Sequence, residues 1–133
     1  MPLQRRHCLL AALPWLAGAA AAASPLQQAM RQAEALRDEA VRGGDQPYGA
    51  VVLCGERVVG AAPSRVITGT DPTAHAEMEA LRDAARRLRT RDLSNCLLVS
   101  TSRPCRMCEA AAGWAGISRM VHGPSLTDAG APQ

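Results

Sequence analysis

Two short motifs, each placed where a helical pattern begins, constrain this chain more than any other feature. His75-Ala76-Glu77 lies where the turn-forming stretch Asp71-Pro72-Thr73 gives way to a helical pattern, and Pro104-Cys105-Arg106-Met107-Cys108 opens another one. In the middle of a helix, residues i and i+2 point about 200° apart and could not serve one site. At a helix end, both side chains reach over the terminus. The motifs therefore predict a fold in which two helix N-termini face a common site.

Helical and strand patterns alternate along the chain, which predicts an α/β fold with helices covering a small sheet. Gly43-Gly44 stops the first helical pattern, and Gly55-Glu56 joins two strands as a hairpin. Asp71-Pro72-Thr73 supplies a cap and a first-turn proline for the second helix. The predicted elements are a helix at 25–42, strands at 48–55 and 57–62, a helix from 71–73 to Leu88, a strand at 95–101, a helix at 104–115, a strand at 117–123 and an irregular tail at 124–133.

The first 23 residues have the features of a secretory signal peptide. Arg5-Arg6 form a basic region, an apolar run of 16 residues covers 8–23, and small residues precede the expected cleavage site. The run is shorter than the roughly 20 apolar residues that a membrane-spanning helix needs, so a permanent anchor is the weaker interpretation. Cleavage would remove the run, and no stable membrane anchor is expected afterwards. The paired arginines resemble a twin-arginine export signal, although a Sec signal can also carry two basic residues. We predict a signal peptide at 1–23, one domain at 24–133, and an exported, periplasmic protein.

The charge balance disfavours nucleic acid as a partner. The formal net charge is +3, but residues 24–133 carry thirteen arginines against twelve acids, which is a balance of +1. A nucleic-acid binder is expected to have a pronounced basic surface. Tyr48 and Trp114 are the aromatic residues of this region, which leaves little for stacking on single-stranded bases.

His75, Cys105 and Cys108 are residue types that bind zinc, and three protein ligands leave the fourth tetrahedral position open, as in catalytic zinc sites. Glu77 would lie beside that position without being a ligand. Other interpretations are a redox pair for C-x-x-C, half of a structural zinc site, or ordinary helix-end roles for His75 and Glu77. No second C-x-x-C and no spaced histidine pair follows. The two motifs together therefore favour the catalytic zinc site.

The pattern H-x-E followed by P-C-x-x-C resembles the cytidine deaminase-like superfamily. The resemblance extends from about Gln46 to Gly123 and includes the strings YGAVV, DPTAHAEMEALR, TSRPCRMC and WAGI. These strings are most similar to the branch with guanine deaminases, other nucleoside and base deaminases, and bacterial tRNA adenosine deaminases. The resemblance implies a three-layer α/β/α fold with a mixed sheet. We expect about four strands here, with the last helix and strand elements of the family missing.

The resemblance also implies a mechanism and a substrate class. Zinc would lower the pKa of a water from about 15.7 towards about 7, and Glu77 would carry protons to the ring nitrogen and the departing amine. Backbone groups at Ala76 and around Pro104 would orient the ring, with Tyr48 as one wall. The expected reaction is hydrolytic deamination of a free nucleobase or nucleoside of the guanine, adenine or cytosine type, with release of ammonia.

Three positions depart from the family branch. Ser64 lies where an asparagine commonly contacts the substrate, so we expect a hydroxyl contact there. Arg103 replaces the usual glutamate before Pro-Cys, and Arg106 replaces a frequent proline. Solvated charges are the simplest interpretation of both arginines.

The short C-terminal end predicts an open pocket and an uncovered fourth strand. An uncovered strand pairs readily with another chain, so we expect a homo-oligomer or weak deaminase activity. The alternative function is a catalytically silent, zinc-stabilised domain. Cys54 and Cys96 are most simply core residues, but the family sheet places their strands side by side, which makes a disulfide after export a second interpretation.

Overall fold

The computed structural model describes residues 18–133, and residues 18–23 contain no helix or strand. Three helices and five strands follow one another in this part of the chain. They are α1 Pro25–Arg42, β1 Gly49–Cys54, β2 Arg57–Pro63, α2 Ala76–Leu88, β3 Cys96–Ser100, α3 Arg106–Trp114, β4 Arg119–His122 and β5 Thr127–Gly130.

The five strands form one mixed sheet in the order β2-β1-β3-β4-β5. β3 and β4 are parallel, and the other neighbouring pairs are antiparallel. The parallel pair is connected through α3, as a parallel crossover requires. Because β3 is followed directly by the motif at the start of α3, the sheet places the Cys105 region at the end of a central strand.

Helices cover both faces of the sheet, which confirms the predicted three-layer α/β/α architecture. Alternate residues of β1 point to opposite sides: Val51 and Leu53 pack with α1, whereas Ala50 and Val52 pack with α2. Gly49 lies so close to the backbone of α1 that an added Cβ would collide with it. The two cores therefore lie on opposite faces of the central strands.

The first half of the molecule has the predicted elements. Helix α1 spans the predicted residues and begins with a capping box: the Ser24 hydroxyl accepts the Gln27 N–H at 3.1 Å, and the Gln27 side chain accepts the Ser24 N–H at 2.9 Å. Strands β1 and β2 form the predicted hairpin around Gly55, whose φ is +62°. Local signals were sufficient here because the caps and turns are encoded within a few residues.

Helix α2 begins later than predicted. Its first residue is Ala76 and its N-cap is His75, so Asp71-Pro72-Thr73 is not the helix cap. Instead, Asp71 Oδ1 accepts the N–H and the hydroxyl of Thr73 at 2.8 and 2.7 Å, which closes a turn two residues before the N-cap. Helix α3 likewise begins at Arg106 rather than Pro104, with Cys105 as its N-cap. Both shifts place a candidate zinc ligand at an N-cap.

The prediction of about four strands and an irregular tail was wrong. Residues Thr127–Gly130 form β5, which pairs antiparallel with β4 and turns back at Leu126, whose φ is +53°. The tail therefore covers the edge of β4. The expected homo-oligomer rested on β4 being uncovered, so that argument no longer holds.

Cys54 and Cys96 form a disulfide between β1 and β3. The two residues lie directly opposite each other in the antiparallel register, with Cα atoms 4.2 Å apart. The simpler interpretation of both as free core cysteines was therefore wrong. Since the bond closes a loop over a sequence separation of 42 residues, the chain-entropy argument gives a stabilisation of about 4 kcal/mol.

We expect reduction of this disulfide to lower the free energy of unfolding by up to about 4 kcal/mol. Urea unfolding of oxidised protein beginning at Ser24, with and without reductant, measures the loss. The double variant Cys54→Ala, Cys96→Ala is the control, because its stability should not respond to reductant. Four free thiols in the zinc-stripped, denatured and unreduced protein would contradict the bond.

The predicted signal peptide falls largely outside the described residues, which begin at Gly18. Within residues 18–133, none of the helices has the length and apolar character that crossing a bilayer requires. Processing after Ala23 stays a prediction.

Candidate zinc and catalytic site

The N-termini of α2 and α3 meet at the C-terminal end of β3, and each contributes its N-cap residue to the site. His75 caps α2 and Cys105 caps α3, and neither side chain makes a capping hydrogen bond. Both side chains are therefore available for other interactions, such as binding a metal ion. Cys108, one turn further along α3, is fully buried beside them.

Hydrogen bonds to the sheet fix the loop that carries Cys105. The buried Ser100 hydroxyl donates to the Ser102 carbonyl at 2.7 Å, just after β3 ends. Thr101 is tied to the first residue of β1: its N–H donates to the Gly49 carbonyl at 3.0 Å, and its hydroxyl accepts the Gly49 N–H at 3.2 Å. The loop position is thus set by two central strands.

His75 Nδ1 and the two cysteine sulfurs form a nearly equilateral triangle. The Nδ1 atom lies 3.7 Å from Cys105 Sγ and 3.6 Å from Cys108 Sγ, and the sulfurs are 3.7 Å apart. With Zn–S bonds of about 2.3 Å and Zn–N bonds of about 2.0–2.1 Å, a tetrahedral ion separates two thiolates by about 3.8 Å and a thiolate from an imidazole by about 3.6 Å. The three residues therefore fit a tetrahedral zinc ion.

Glu77 lies against this triangle on the first turn of α2. Its side chain is buried, and Oε2 is 3.4 Å from Cys108 Sγ. Burial raises the pKa of this carboxyl, and the hydrogen bonds from its own backbone N–H and from Cys108 oppose that rise only in part. Burial and the nearby Glu77 carboxylate also raise the pKa of the Cys108 thiol, although a coordinating thiol is deprotonated by its metal.

The triangle and Glu77 open into a cavity of about 290 Å³. Tyr48 forms part of the wall, as predicted for that residue. The lining residues are Gln46, Tyr48, His75, Glu77, Ser102, Arg103 and Cys105. The cavity therefore combines two of the candidate zinc ligands, a buried carboxyl and several polar groups.

Three of the predicted substrate contacts do not line this cavity. Ala76 and Pro104 are buried next to the ligands in sequence. Ser64 is buried as well, and its hydroxyl donates to Asp45 Oδ1 at 2.8 Å instead of facing the cavity. The Ser64 hydroxyl therefore has a structural hydrogen-bond partner, and the structure does not support the predicted substrate contact at Ser64.

The Asp45 carboxylate connects two loops through four hydrogen bonds. Its Oδ1 accepts the Gln46 N–H and the Ser64 hydroxyl, and its Oδ2 accepts the N–H and the hydroxyl of Thr68, all at 2.8 Å. Burial opposes ionisation, but these hydrogen bonds outweigh it and hold the pKa of Asp45 well below its ordinary value of 3.8. The carboxylate thus joins the loop before β1 to the loop between β2 and α2.

We expect Asp45→Asn to lower the free energy of unfolding by about 2–3 kcal/mol at pH 7, because an amide accepts through one oxygen. A carboxyl whose pKa is depressed in the folded state contributes stability above its unfolded pKa, near 3.9, and this contribution is lost as the pH falls below that value. Urea unfolding of the wild type and of Asp45→Asn at pH 7 and pH 3 measures the loss of stability at pH 7 and its decrease at pH 3. Asp38→Asn, at an exposed position, serves as the control. Equal stability of Asp45→Asn and wild type at pH 7 would refute the role of this network.

A family model for the cytidine and deoxycytidylate deaminase zinc-binding region matches residues 23–124. The chain belongs to this deaminase family. Guanine deaminase from Bacillus subtilis is 35% identical over 101 residues, which are 75% of this chain and 65% of that protein. The chain spans smaller fractions, down to 19%, of other curated proteins that it matches.

Solved structures of deaminases share the fold. A structure from work on A-to-I editing by tRNA:A34 deaminases has a TM-score of 0.70 and 33% identity, covering 72% of this chain and 70% of that one. A structure of a complex with 2,6-diaminopurine has a TM-score of 0.69 and 31% identity, covering 73% and 55% of the two chains. These comparisons confirm the predicted superfamily and its guanine and tRNA-adenosine branch.

Sequence reasoning missed Gln46 as a cavity residue. Arg103 is exposed, as expected of a solvated charge, and it also lines the cavity. Gln46 reaches the cavity beside Tyr48 because a tight turn, in which the Tyr48 N–H donates to the Gln46 carbonyl at 2.8 Å, brings the two residues together, and no sequence pattern pointed to this. Asp45 was missed altogether, because its four hydrogen bonds come from residues up to 23 positions away.

Proposed function

We propose that this protein is a zinc-dependent hydrolase that deaminates a free nucleobase or nucleoside of the guanine, adenine or cytosine type and releases ammonia. The observation that carries the proposal is the triangle of His75, Cys105 and Cys108, with the buried Glu77 carboxyl beside it and a cavity in front. A redox pair would leave the imidazole and the carboxyl without a role. The metal-site geometry therefore favours hydrolysis.

Zinc, when bound, supplies a water whose pKa is lowered to about 7 and which is therefore nucleophilic in neutral solution. His75, Cys105 and Cys108 would hold the ion, and Glu77 accepts the proton of the attacking water. Glu77 then donates this proton to the ring nitrogen of the substrate. It accepts a second proton from the hydroxyl group that has added to the ring carbon and donates it to the amine, which leaves as ammonia while the carbonyl forms. Its raised pKa suits this task because a general acid–base group works best with a pKa near the working pH.

The cavity supports a small heterocyclic substrate. Its volume of about 290 Å³ lies just below the range of about 300–1,000 Å³ that is typical of small-molecule sites, so it suits a small ligand. Tyr48 offers an aromatic face, while Gln46 and Ser102 offer hydrogen-bonding groups for the edge of a base. Relatives named for guanine deamination and a related structure in complex with 2,6-diaminopurine are consistent with this substrate class.

Ammonia release decides the proposal. Purified, zinc-loaded protein is incubated with guanine, adenine, cytosine and their nucleosides, and ammonia is measured by a coupled assay. We expect release from at least one of these compounds. Stoichiometric zinc without ammonia from any of them would favour the silent, zinc-stabilised domain instead.

We also propose that the protein is exported to the periplasm after cleavage following Ala23. The Cys54–Cys96 disulfide supports this location, because structural disulfides persist mainly in oxidising compartments. A reporter fused after Ser24 should reach the periplasm. If the route is twin-arginine, Arg5→Lys with Arg6→Lys should block it, and cytoplasmic retention of the unmodified fusion would refute export.

A further inference from the structure

The four cysteines of residues 18–133 are in two different states. Cys54 and Cys96 form a disulfide, whereas Cys105 and Cys108 are thiols. The bonded pair lies at the start of β3, and Cys105 follows the other end of that strand. At a rise of about 3.3 Å per residue, the two ends of β3 are about 13 Å apart. The two pairs are therefore separated by a central strand, and bonds cannot exchange between them while the sheet is closed.

Cys105 and Cys108 are placed for a disulfide of their own. Cys105 is the N-cap of α3 and Cys108 lies one turn further along, so the two side chains share one side of the helix start. Their sulfurs are 3.7 Å apart, and each would move by less than about 1 Å to reach a bond length of about 2.05 Å. Because the Cys105 side chain makes no capping hydrogen bond, no bond to the backbone opposes this movement.

The two thiols differ in exposure. Cys105 is exposed and lines the cavity, so a small molecule from solution can reach its sulfur. Cys108 is fully buried, and the Cys105 sulfur is its neighbour on the side of the cavity. Thiol–disulfide exchange proceeds through a mixed disulfide, which needs one accessible thiol and a second thiol close by. Cys105 has the position of the first thiol, and Cys108 has that of the second.

Zinc and a Cys105–Cys108 disulfide would compete for the same two sulfurs. The thiolate is the form of cysteine that binds a metal, and neither sulfur of a disulfide is a thiolate. A closed bond would leave His75 as the remaining ligand of the triangle. Conversely, metal held by both thiolates would protect them from exchange. The site can therefore hold the ion or the bond, and one excludes the other.

We propose that Cys105 is a modification site for low-molecular-weight disulfides such as oxidised glutathione, and that its modification closes a Cys105–Cys108 disulfide that excludes zinc. This inference names a means of regulating the proposed deaminase site and rests on that site being the zinc site. The Cys105 thiolate attacks one sulfur of oxidised glutathione, whose S–S bond breaks, and one glutathione leaves as a thiolate. The Cys108 thiolate then attacks the Cys105 sulfur, and the second glutathione leaves. The two cysteines lose two electrons and two protons, and the two glutathione molecules gain them.

The reaction is measured on protein that begins at Ser24 and has the Cys54–Cys96 bond closed, both zinc-loaded and after removal of zinc by a chelator. Each form is incubated with oxidised glutathione, free thiols are alkylated, and peptides are analysed by mass spectrometry. Cleavage after Arg106 places Cys105 and Cys108 on different peptides, so the new bond links two peptides. We expect the metal-free protein to lose both thiols and the zinc-loaded protein to keep them. The oxidised protein should bind no zinc until reduction restores both thiols.

Cys108→Ala and Cys105→Ala separate the two steps. In metal-free Cys108→Ala, Cys105 should react and keep its glutathione, because no second thiol displaces it. In Cys105→Ala, the buried Cys108 should stay unmodified. Circular dichroism checks that each variant is folded. The wild type gives the same answer without a substitution, since peptides sampled early in the reaction should carry glutathione on Cys105 and not on Cys108.

Retention of both thiols in the metal-free protein would overturn the inference, and so would a wild type that stops at the mixed disulfide. Glutathione that appears first on Cys108, equal rates of oxidation with and without zinc, or stoichiometric zinc in the oxidised protein would overturn it as well. Closure of the bond in a protein that releases no ammonia when zinc-loaded would support the modification site while the deaminase function fails. Ammonia release from a protein whose metal-free thiols do not react would refute the inference and leave the proposed function intact.

Discussion

The Glu77→Gln variant is expected to keep its zinc and its fold while kcat falls by about 10²–10⁴-fold, the usual contribution of a general acid–base group. The carboxyl is buried next to Cys108 and lines the cavity, yet it is not one of the three residues that fit the metal. Glutamine preserves the shape and cannot carry the proton. Metal content, thermal unfolding and ammonia release on the same preparation separate these effects.

Glu79→Gln is the matched control, because it makes the same change two residues further along α2. Glu79 pairs with Arg65 and Arg82 and does not line the cavity. We expect its activity to remain close to that of the wild type, with at most a modest loss of stability. If Glu77→Gln were as active as Glu79→Gln, Glu77 would not be the proton carrier.

Local sequence signals predicted helix α1 and the β1–β2 hairpin because their boundaries are encoded by nearby residues. The start of α2 was predicted too early because a local turn resembles a helix cap in sequence. Asp71 bonds to the N–H and hydroxyl of Thr73, and these are the bonds that an aspartate at a helix cap would also make. A local pattern cannot tell a closed turn from a cap when both use the same hydrogen bonds.

Strand β5 was missed because little in its sequence favours a strand. Thr127–Gly130 contains an aspartate and a glycine, which are depleted in strands. It forms because the chain reverses at Leu126 and pairs with β4. Pairing with an existing strand is a tertiary effect that residue-by-residue propensity does not include.

The clustering of His75, Cys105 and Cys108 was predictable because these residue types at this spacing are typical of a zinc site. The rest of the site was not, because side-chain direction depends on tertiary partners. Ser64 donates to Asp45 instead of facing the cavity, and Arg103, which is exposed as a solvated charge would be, also lines the cavity. Chemistry confined to two motifs can be predicted from a sequence, whereas the shape of the cavity cannot.

Replacing Cys108 by serine is expected to abolish zinc binding and to destabilise the domain. Cys108 is fully buried, contacts both His75 and Glu77, and completes the triangle that fits a tetrahedral ion. A hydroxyl is a far poorer zinc ligand than a thiolate, and the free energy of metal binding to a folded site adds to the free energy of unfolding. Atomic absorption and thermal unfolding, each before and after chelation, measure the two consequences.

Cys96→Ser, made together with Cys54→Ser, is the matched control, because it places serine at buried or half-buried cysteines outside the metal site. This pair should lose the contribution of the disulfide and keep stoichiometric zinc, and chelation should still destabilise it. The Cys108→Ser variant should show the opposite pattern. It keeps the disulfide, and chelation has no further effect on its stability because no metal is left to remove. Stoichiometric zinc in Cys108→Ser would show that the three-residue assignment is wrong, since two ligands of this triangle would then suffice to hold the ion.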